Sequence, residues 1–230
     1  PLPRELRKKL RAPLASRFSR RPVSVRSSAP GEDAAKTSFA GLHESFVNIR
    51  GLEPILEHIR LVWASLWSDR ALLYRQELGL DVEKSTMAVV VQEMIFGERS
   101  GVVFGMSPVH ENQSAVEAVH GLNQGLVDGT VEPDRWILDR NSGHILSHRP
   151  ARREKTLSAG PKGVRLENLQ GTLRRRAPLR AREVKEVYDL AMKAESLFGS
   201  PQDAEWTYFK EALHALQARP ITTRSASSED

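Results

Sequence analysis

Hydrophobic positions recur along this chain at two spacings. Ile55, Ile59, Val62, Leu66 and Leu73 lie three, four or seven residues apart. That spacing places them on one face of a helix predicted over 54–78. Pro54 suits the first turn of such a helix and Gly79 its stop. Trp63 and Trp67 fall on a neighbouring stripe and read as packing residues rather than as a platform for a ligand. A second amphipathic helix is predicted over 181–198 from Val184, Val187, Ala191, Ala194 and Phe198, closed by Gly199 and Pro201. Leu6, Leu10 and Leu14 also keep helical spacing, but Pro13 is predicted to break or kink that segment.

Other stretches read as strands. Residues 22–26 form a short one ending at Arg26, followed by a polar loop over 27–38. Residues 86–95 are a continuous apolar run rich in β-branched side chains, which predicts a buried strand. Further strands are predicted at 101–106, 114–120, 135–139 and 144–148, separated by Gly, Pro and Asn-Ser-Gly turns. Residues 204–209 and 212–218 read as a β-hairpin. Residues 150–180 are basic, carry Gly and Pro and show no periodicity, so a linker or mobile loop is expected there. The Ser-rich, acidic residues 223–230 are expected to form a disordered tail. The fold class expected is α+β, with mixed or antiparallel sheets flanked by helices.

Composition bounds the function. The chain has 230 residues, 40% hydrophobic and 27% charged, with no cysteine. This is a globular composition, long enough for one large domain or two lobes. Thiolate nucleophiles, disulfides and cysteine-based metal sites are excluded. No apolar run approaches the roughly 18 residues of a membrane span. The first 30 residues lack the apolar core of a signal peptide, so a cytoplasmic location is the default expectation. The chain opens on Pro1 rather than Met, which reads as a piece cut from something longer.

The net charge of +5 is unevenly spread. One basic cluster covers 4–26 and another gathers Arg149, Arg152, Arg153, Lys155, Arg174, Arg175 and Arg176. Such patches attract polyanions, although a solvated surface explains them equally. Neither cluster carries the series of aromatic residues on which bases stack, so nucleic acid is an unfavoured partner.

Three groups of residues suit phosphate and metal handling. Arg26 at a strand end, followed by Ser27 and Ser28, offers a guanidinium fork and a close backbone approach to an anion. Ser38-Phe39-Ala40-Gly41, with Glu44 and Ser45 beyond it, could lay backbone N–H groups against phosphate oxygens; an ordinary turn reads the same way. In the terminal hairpin Asp203, Glu205 and Thr207 alternate and share a face, as do Gln217 and Arg219 on the partner segment. A carboxylate opposite an amide oxygen, with a second acid nearby, can hold a hard cation. A solvated sheet face is the alternative.

Six blocks give these groups a context. Val25–Gly51, Trp63–Ala71, Val90–Met94, Asp128–Arg135, Pro201–Trp206 and Leu216–Thr222 resemble, in order and at similar spacing, the phosphoenolpyruvate synthase and pyruvate phosphate dikinase family. The resemblance covers residues 22–222 and implies an ATP-grasp-like fold of two lobes with ATP between them. It implies that Arg26 grips the transferring phosphates and that Gly41 and Ser45 lie in the phosphate-covering segment. Gln92 then sits on the strand facing the base end. Glu205 and Gln217 hold Mg²⁺ with support from Asp203, and Arg219 is a second phosphate contact. In domain terms it implies ATP-grasp-like lobes over 1–149, the basic 150–180 segment, and a helix and metal-binding hairpin over 181–222 that complete the ATP site. The implied chemistry is phosphoryl transfer from ATP to a histidine on a separate phosphohistidine domain, with a pyruvate-binding barrel as a further partner. Rifampin phosphotransferases and glucan dikinases share such a domain, and a non-catalytic module is the other alternative.

Two departures stand out. The family's domain opens with a Gly-Lys segment that has no counterpart here, so the fold is expected to be N-terminally incomplete. Where relatives usually read Gly-Leu-Gly-Glu, this chain reads Gly-Leu-Asn-Gln over 121–124, so a carboxylate is replaced by Gln124.

Overall fold

The computed structural model describes residues 2–29, 33–34, 37–38, 43–77, 79, 81, 85–107, 109–160 and 163–221. The chain divides into two compact units, residues 1–94 and 95–230.

The first unit opens with helix α1 (Arg4–Phe18), which runs through Pro13 instead of ending there. The Ser16 hydroxyl donates to the Pro13 carbonyl. Most of the helix is exposed, so water can satisfy the carbonyl whose partner N–H the proline lacks. Strand β1 (Val23–Ser28) follows, then a small ladder of β2 (Asp33–Ala34) and β3 (Thr37–Ser38) inside the stretch expected to be loop. Strand β4 (Ser45–Ile49), helices α2 (Leu52–Ser65) and α3 (Asp69–Glu77) and strand β5 (Ala88–Glu93) complete the unit. The strands form an antiparallel sheet in the order β4-β1-β5. Val23 and Val25 are fully buried against Ile55, Leu56, Ile59 and Val62 of α2.

Two expectations change here. The single helix over 54–78 is two helices. Ser68 ends the first and starts the second, its hydroxyl accepting the Ala71 N–H as a helix-capping side chain does. Buried Arg75 folds back onto the Leu66 carbonyl at 2.6 Å. Among the described residues strand β5 pairs only with β1; Val89, Val91 and Gln92 are half-buried, whereas Ala88, Val90 and Glu93 are exposed, Val90 at 44%. A terminal strand has one covered face, and the continuous apolar run masks that. Trp63 packs at the core edge and donates to the Met87 carbonyl, whereas Trp67 is exposed.

The second unit is built on a six-stranded antiparallel sheet. Its strands are β6 (Arg99–Phe104), β7 (Gln113–His120), β8 (Asp134–Asp139), β9 (Ile145–Arg149), β12 (Gln202–Phe209) and β13 (Ala212–Pro220), in the order β13-β12-β6-β7-β8-β9. A short helix α4 (Gln124–Val127) lies between β7 and β8. The stretch 150–180, expected as an aperiodic linker, instead carries the hairpin β10 (Lys155–Gly160) and β11 (Gly163–Asn168) and the short helix α5 (Gly171–Arg175). Leu157, Leu169 and Leu179 anchor it.

Helix α6 (Ala181–Phe198) covers one face of the sheet. Val184, Val187, Tyr188 and Ala191 meet Val103, Val116, Ala118, Trp136, Leu138, Ala204, Trp206 and Tyr208. Gly199 ends the helix at φ 74°, a left-handed conformation that glycine adopts without strain. Gly101 serves a different need. A Cβ there would lie 1.9 Å from the Glu117 carbonyl and 2.5 Å from the Trp206 ring, so only glycine leaves room for both.

Candidate functional site

Because Ala204, Trp206 and Tyr208 point into the α6 core, the alternate residues of β12, Asp203, Glu205 and Thr207, take the opposite face. The register extends that face across the sheet. Gln217 opposes Glu205, Glu205 opposes Val102, Val102 opposes Glu117 and Glu117 opposes Arg135. The neighbouring row is Arg219, Asp203, Phe104, Ala115 and Ile137. Four of the five hairpin residues singled out in the sequence, Asp203, Glu205, Gln217 and Arg219, therefore form a square of two adjacent cross-strand pairs.

The square has internal structure. Arg219 Nε donates to Asp203 Oδ2 at 2.8 Å, and its Nη2 lies at the same distance. Asp203, expected to support a cation, thus holds the guanidinium of Arg219. Immediately after the Glu205–Gln217 pair the ladder slips: Trp206 opposes Ala215, leaving Leu216 as an extra residue on β13. A bulge of this kind adds twist and re-aims the side chains beside it. Glu205 and Gln217 are both half-buried. Among the described residues no three His, Asp or Glu side chains gather as a ready-made metal site. A hard cation here would draw one carboxylate and one amide oxygen from the protein and complete its shell from phosphate and water, the usual arrangement for Mg²⁺. The donor set fits.

Glu117 and Ser100, also on this face, escaped sequence reasoning. Glu117 is buried and accepts a hydrogen bond from Arg135 Nε at 2.7 Å. The signal was a lone acid amid the apolar residues 115–119. Thr207 and the Ser100 hydroxyl are 2.7 Å apart, and Ser100 donates onward to the Gly121 carbonyl at 2.7 Å. This relay ties the Glu205 strand to the turn after β7.

In the first unit, Val23 and Val25 face α2, so Ser24 and Arg26 face away from it. Arg26 opposes Ser45 on β4 and Val90 on β5, and Ser24 opposes Gln92. Arg26, Ser45 and Gln92 therefore share a face. Gly41 lies outside the described residues, as do Phe39 and Ala40.

Comparison with known proteins decides the family. The model of the pyruvate phosphate dikinase AMP/ATP-binding domain matches residues 1–230. This chain belongs to that family. It is 38% identical to a phosphoenolpyruvate synthase of Aeropyrum pernix over 90% of its own length and 29% of that protein's. It is 36% identical to a probable phosphoenolpyruvate synthase of Methanocaldococcus jannaschii, over 87% of this chain and 17% of that protein. It is 37% identical to a rifampicin phosphotransferase of a Streptomyces species, over 97% of this chain and 26% of that protein. The chain thus spans less than a third of the length of these relatives. The resemblance noted in the sequence is borne out, and the domain is an ATP-binding one of the phosphoenolpyruvate synthase type. Its α/β architecture, antiparallel sheets flanked by helices, agrees with that membership. No helix among the described residues is long and apolar enough to cross a membrane.

Proposed function

We propose that this domain binds ATP·Mg²⁺ in an ATP-grasp-like manner and passes a phosphoryl group toward a histidine on a phosphohistidine domain. The observation that carries the reading is the Glu205–Gln217 pair, set opposite one another beside an arginine that Asp203 holds in place. In this reading Glu205 and Gln217 hold the cation. A Mg²⁺ held there would supply positive charge to offset that of the phosphate oxygens. Arg219, fixed by Asp203, donates to a phosphate oxygen. From the first unit, Arg26 supplies a second guanidinium, Gly41 and Ser45 belong to the phosphate-covering segment, and Gln92 serves the base end. Phosphoryl transfer needs positioning and charge neutralisation more than covalent help, and these residue types provide both.

The final acceptor is read from the relatives. Pyruvate, bound by a barrel domain, fits the synthases, and a rifampicin-like acceptor fits the phosphotransferase that matches over 97% of this chain. Calorimetric titration of the chain with a non-hydrolysable ATP analogue tests the reading. Binding with Mg²⁺, markedly weaker without it, is expected. No heat of binding at millimolar nucleotide, with or without Mg²⁺, overturns the proposal in favour of a non-catalytic module.

A further inference from the structure

A pocket of about 330 Å³ opens in the second unit where the end of α5 meets the start of α6. Arg176 and Arg180 line it from that connection, Arg99 from the first residue of β6 and His120 from the last of β7. It lies on the α6 side of the sheet. Arg99 rests over the Tyr208 ring, 4.6 Å from its centroid, and pairs with Glu183 of α6 at 2.7 Å, and Tyr208 belongs to the α6 core. Glu205 and Gln217 take the other face, so the pocket is separate from the nucleotide site proposed above.

His120 is only 6% exposed. Its Nε2 lies 3.0 Å from the Arg176 carbonyl. A carbonyl only accepts, so Nε2 carries a hydrogen and donates it. Burial holds the ring's pKa below its ordinary value of 6.5, which keeps the imidazole neutral at neutral pH and leaves Nδ1 an acceptor. Nδ1 has no partner among the described residues, and it is not one of the unpartnered atoms sealed inside the protein. Buried polar groups rarely go without a partner. This one is open to a donor that the pocket receives.

The charges around it narrow the ligand. Arg99 is already met by Glu183 and, at 3.6 Å, by Glu211. Arg176 and Arg180 are exposed and form no ion pair among the described residues. Two guanidiniums with free donors suit the oxygens of an anion. Glu98, the remaining acid of the wall, only accepts when ionised and repels an anion that has no proton to offer it. The ligand therefore needs anionic oxygens for the arginines and an O–H for His120. Hydrogen phosphate has both. Sulfate has the same shape but keeps no proton at neutral pH.

We infer that this pocket is a binding site for hydrogen phosphate, with Arg176 and Arg180 holding its anionic oxygens and His120 Nδ1 accepting a hydrogen bond from its O–H. The inference does not rest on the ATP reading.

Titration of the whole chain with inorganic phosphate and with sulfate at neutral pH, without Mg²⁺ or nucleotide, tests it. The ring nitrogen resonances of His120 report on this pocket alone. Phosphate should shift the Nδ1 resonance and bind about tenfold more tightly than sulfate, the scale of one hydrogen bond gained against one acceptor left unpaired. Arg176→Gln and Arg180→Gln should each weaken phosphate about tenfold or more, the scale of one charge-assisted contact. Both side chains are exposed, so these variants should keep the wild-type thermal midpoint. Arg219→Ala, on the other face, should leave the His120 response unchanged. Equal affinity for the two anions overturns the inference, as does a ring that neither anion shifts. A response that ignores Arg176 and Arg180, or that disappears in Arg219→Ala, overturns it as well.

Discussion

Arg219 is held by Asp203 across the same two strands that set Glu205 opposite Gln217. The pair is partly exposed, with 39% of the Arg219 side chain accessible, so it adds under about 1 kcal/mol to stability. In the proposed site its role is to orient the guanidinium. A charge-assisted contact to phosphate contributes about 1.5–3 kcal/mol, which converts to roughly a 10- to 100-fold change in affinity. Arg219→Ala should weaken ATP binding by that factor. Asp203→Asn should weaken it less, by releasing the guanidinium without removing it. Calorimetry reads both, and thermal melts of both variants should stay close to wild type.

Gly101 and Trp206 govern the integrity of the face from behind. Gly101→Ala places a carbon against a backbone carbonyl that cannot move aside, and the variant should unfold at markedly lower denaturant than wild type. Trp206→Ala empties a fully buried site and should cost about 3–5 kcal/mol. Trp206→Phe should cost less than the lost volume alone implies, because the indole N–H is buried without an acceptor and its removal relieves a penalty. Chemical denaturation of the three variants ranks them.

Much of this arrangement is legible in the sequence, and the failures have physical causes. Helix α6 and the β12–β13 hairpin show because one face of each is apolar and the other polar, so the period is visible. That same alternation placed Asp203 with Glu205 and Gln217 with Arg219. The break between α2 and α3 is hidden because Leu66 and Leu73 keep the apolar spacing straight across it. The β10–β11 hairpin is hidden because β11 is mostly exposed, and residues such as Lys155, Ser158, Arg165 and Glu167 give no alternation to read. The slip at Leu216 and the Arg219–Asp203 contact depend on cross-strand register, which spacing within one strand does not encode. Gln217 was found by its position opposite a carboxylate; Glu117 was missed because its partner, Arg135, lies on another strand.

Acid should loosen the second unit through Glu183. Burial alone would push this carboxyl up. The Arg180 N–H and the Arg99 guanidinium outweigh burial and hold it below the ordinary value of 4.5. A carboxyl whose pKa is lower folded than unfolded contributes stability that is present above the unfolded value and is lost as pH falls through the folded one. Wild type and Glu183→Gln should therefore differ most in stability at neutral pH. The gap should close progressively below about pH 4.5. Urea midpoints measured from pH 7 to pH 3 test this, and a gap that widens toward acid contradicts it.

The last prediction concerns Asp134, whose side chain is fully buried. It accepts Arg153 Nε at 2.8 Å and Nη2 at 2.6 Å, His148 Nε2 at 2.7 Å and the Ala151 N–H at 3.2 Å. His148 also stacks on Trp136 with ring centroids 4.3 Å apart. Arg153 reaches on to the Arg175 carbonyl, so one carboxylate fastens both ends of the β10–β11–α5 segment to β8. Removing one member of a buried ion pair leaves the other charge without compensation, at a cost of about 3–5 kcal/mol. Asp134→Ala should lose that much, because Arg153 is only 12% exposed. Asp134→Leu combined with Arg153→Leu should lose clearly less than the two single changes summed, since no charge is then left buried alone. The loss in Asp134→Ala should also be local before it is global. Amide hydrogen exchange should quicken across residues 155–168 while the α6-facing strands β7 and β12 keep their protection. Equal acceleration everywhere would mean that Asp134 stabilises the unit as a whole rather than fastening this segment, and additive single and double variants would mean that the arginine and the carboxylate act independently.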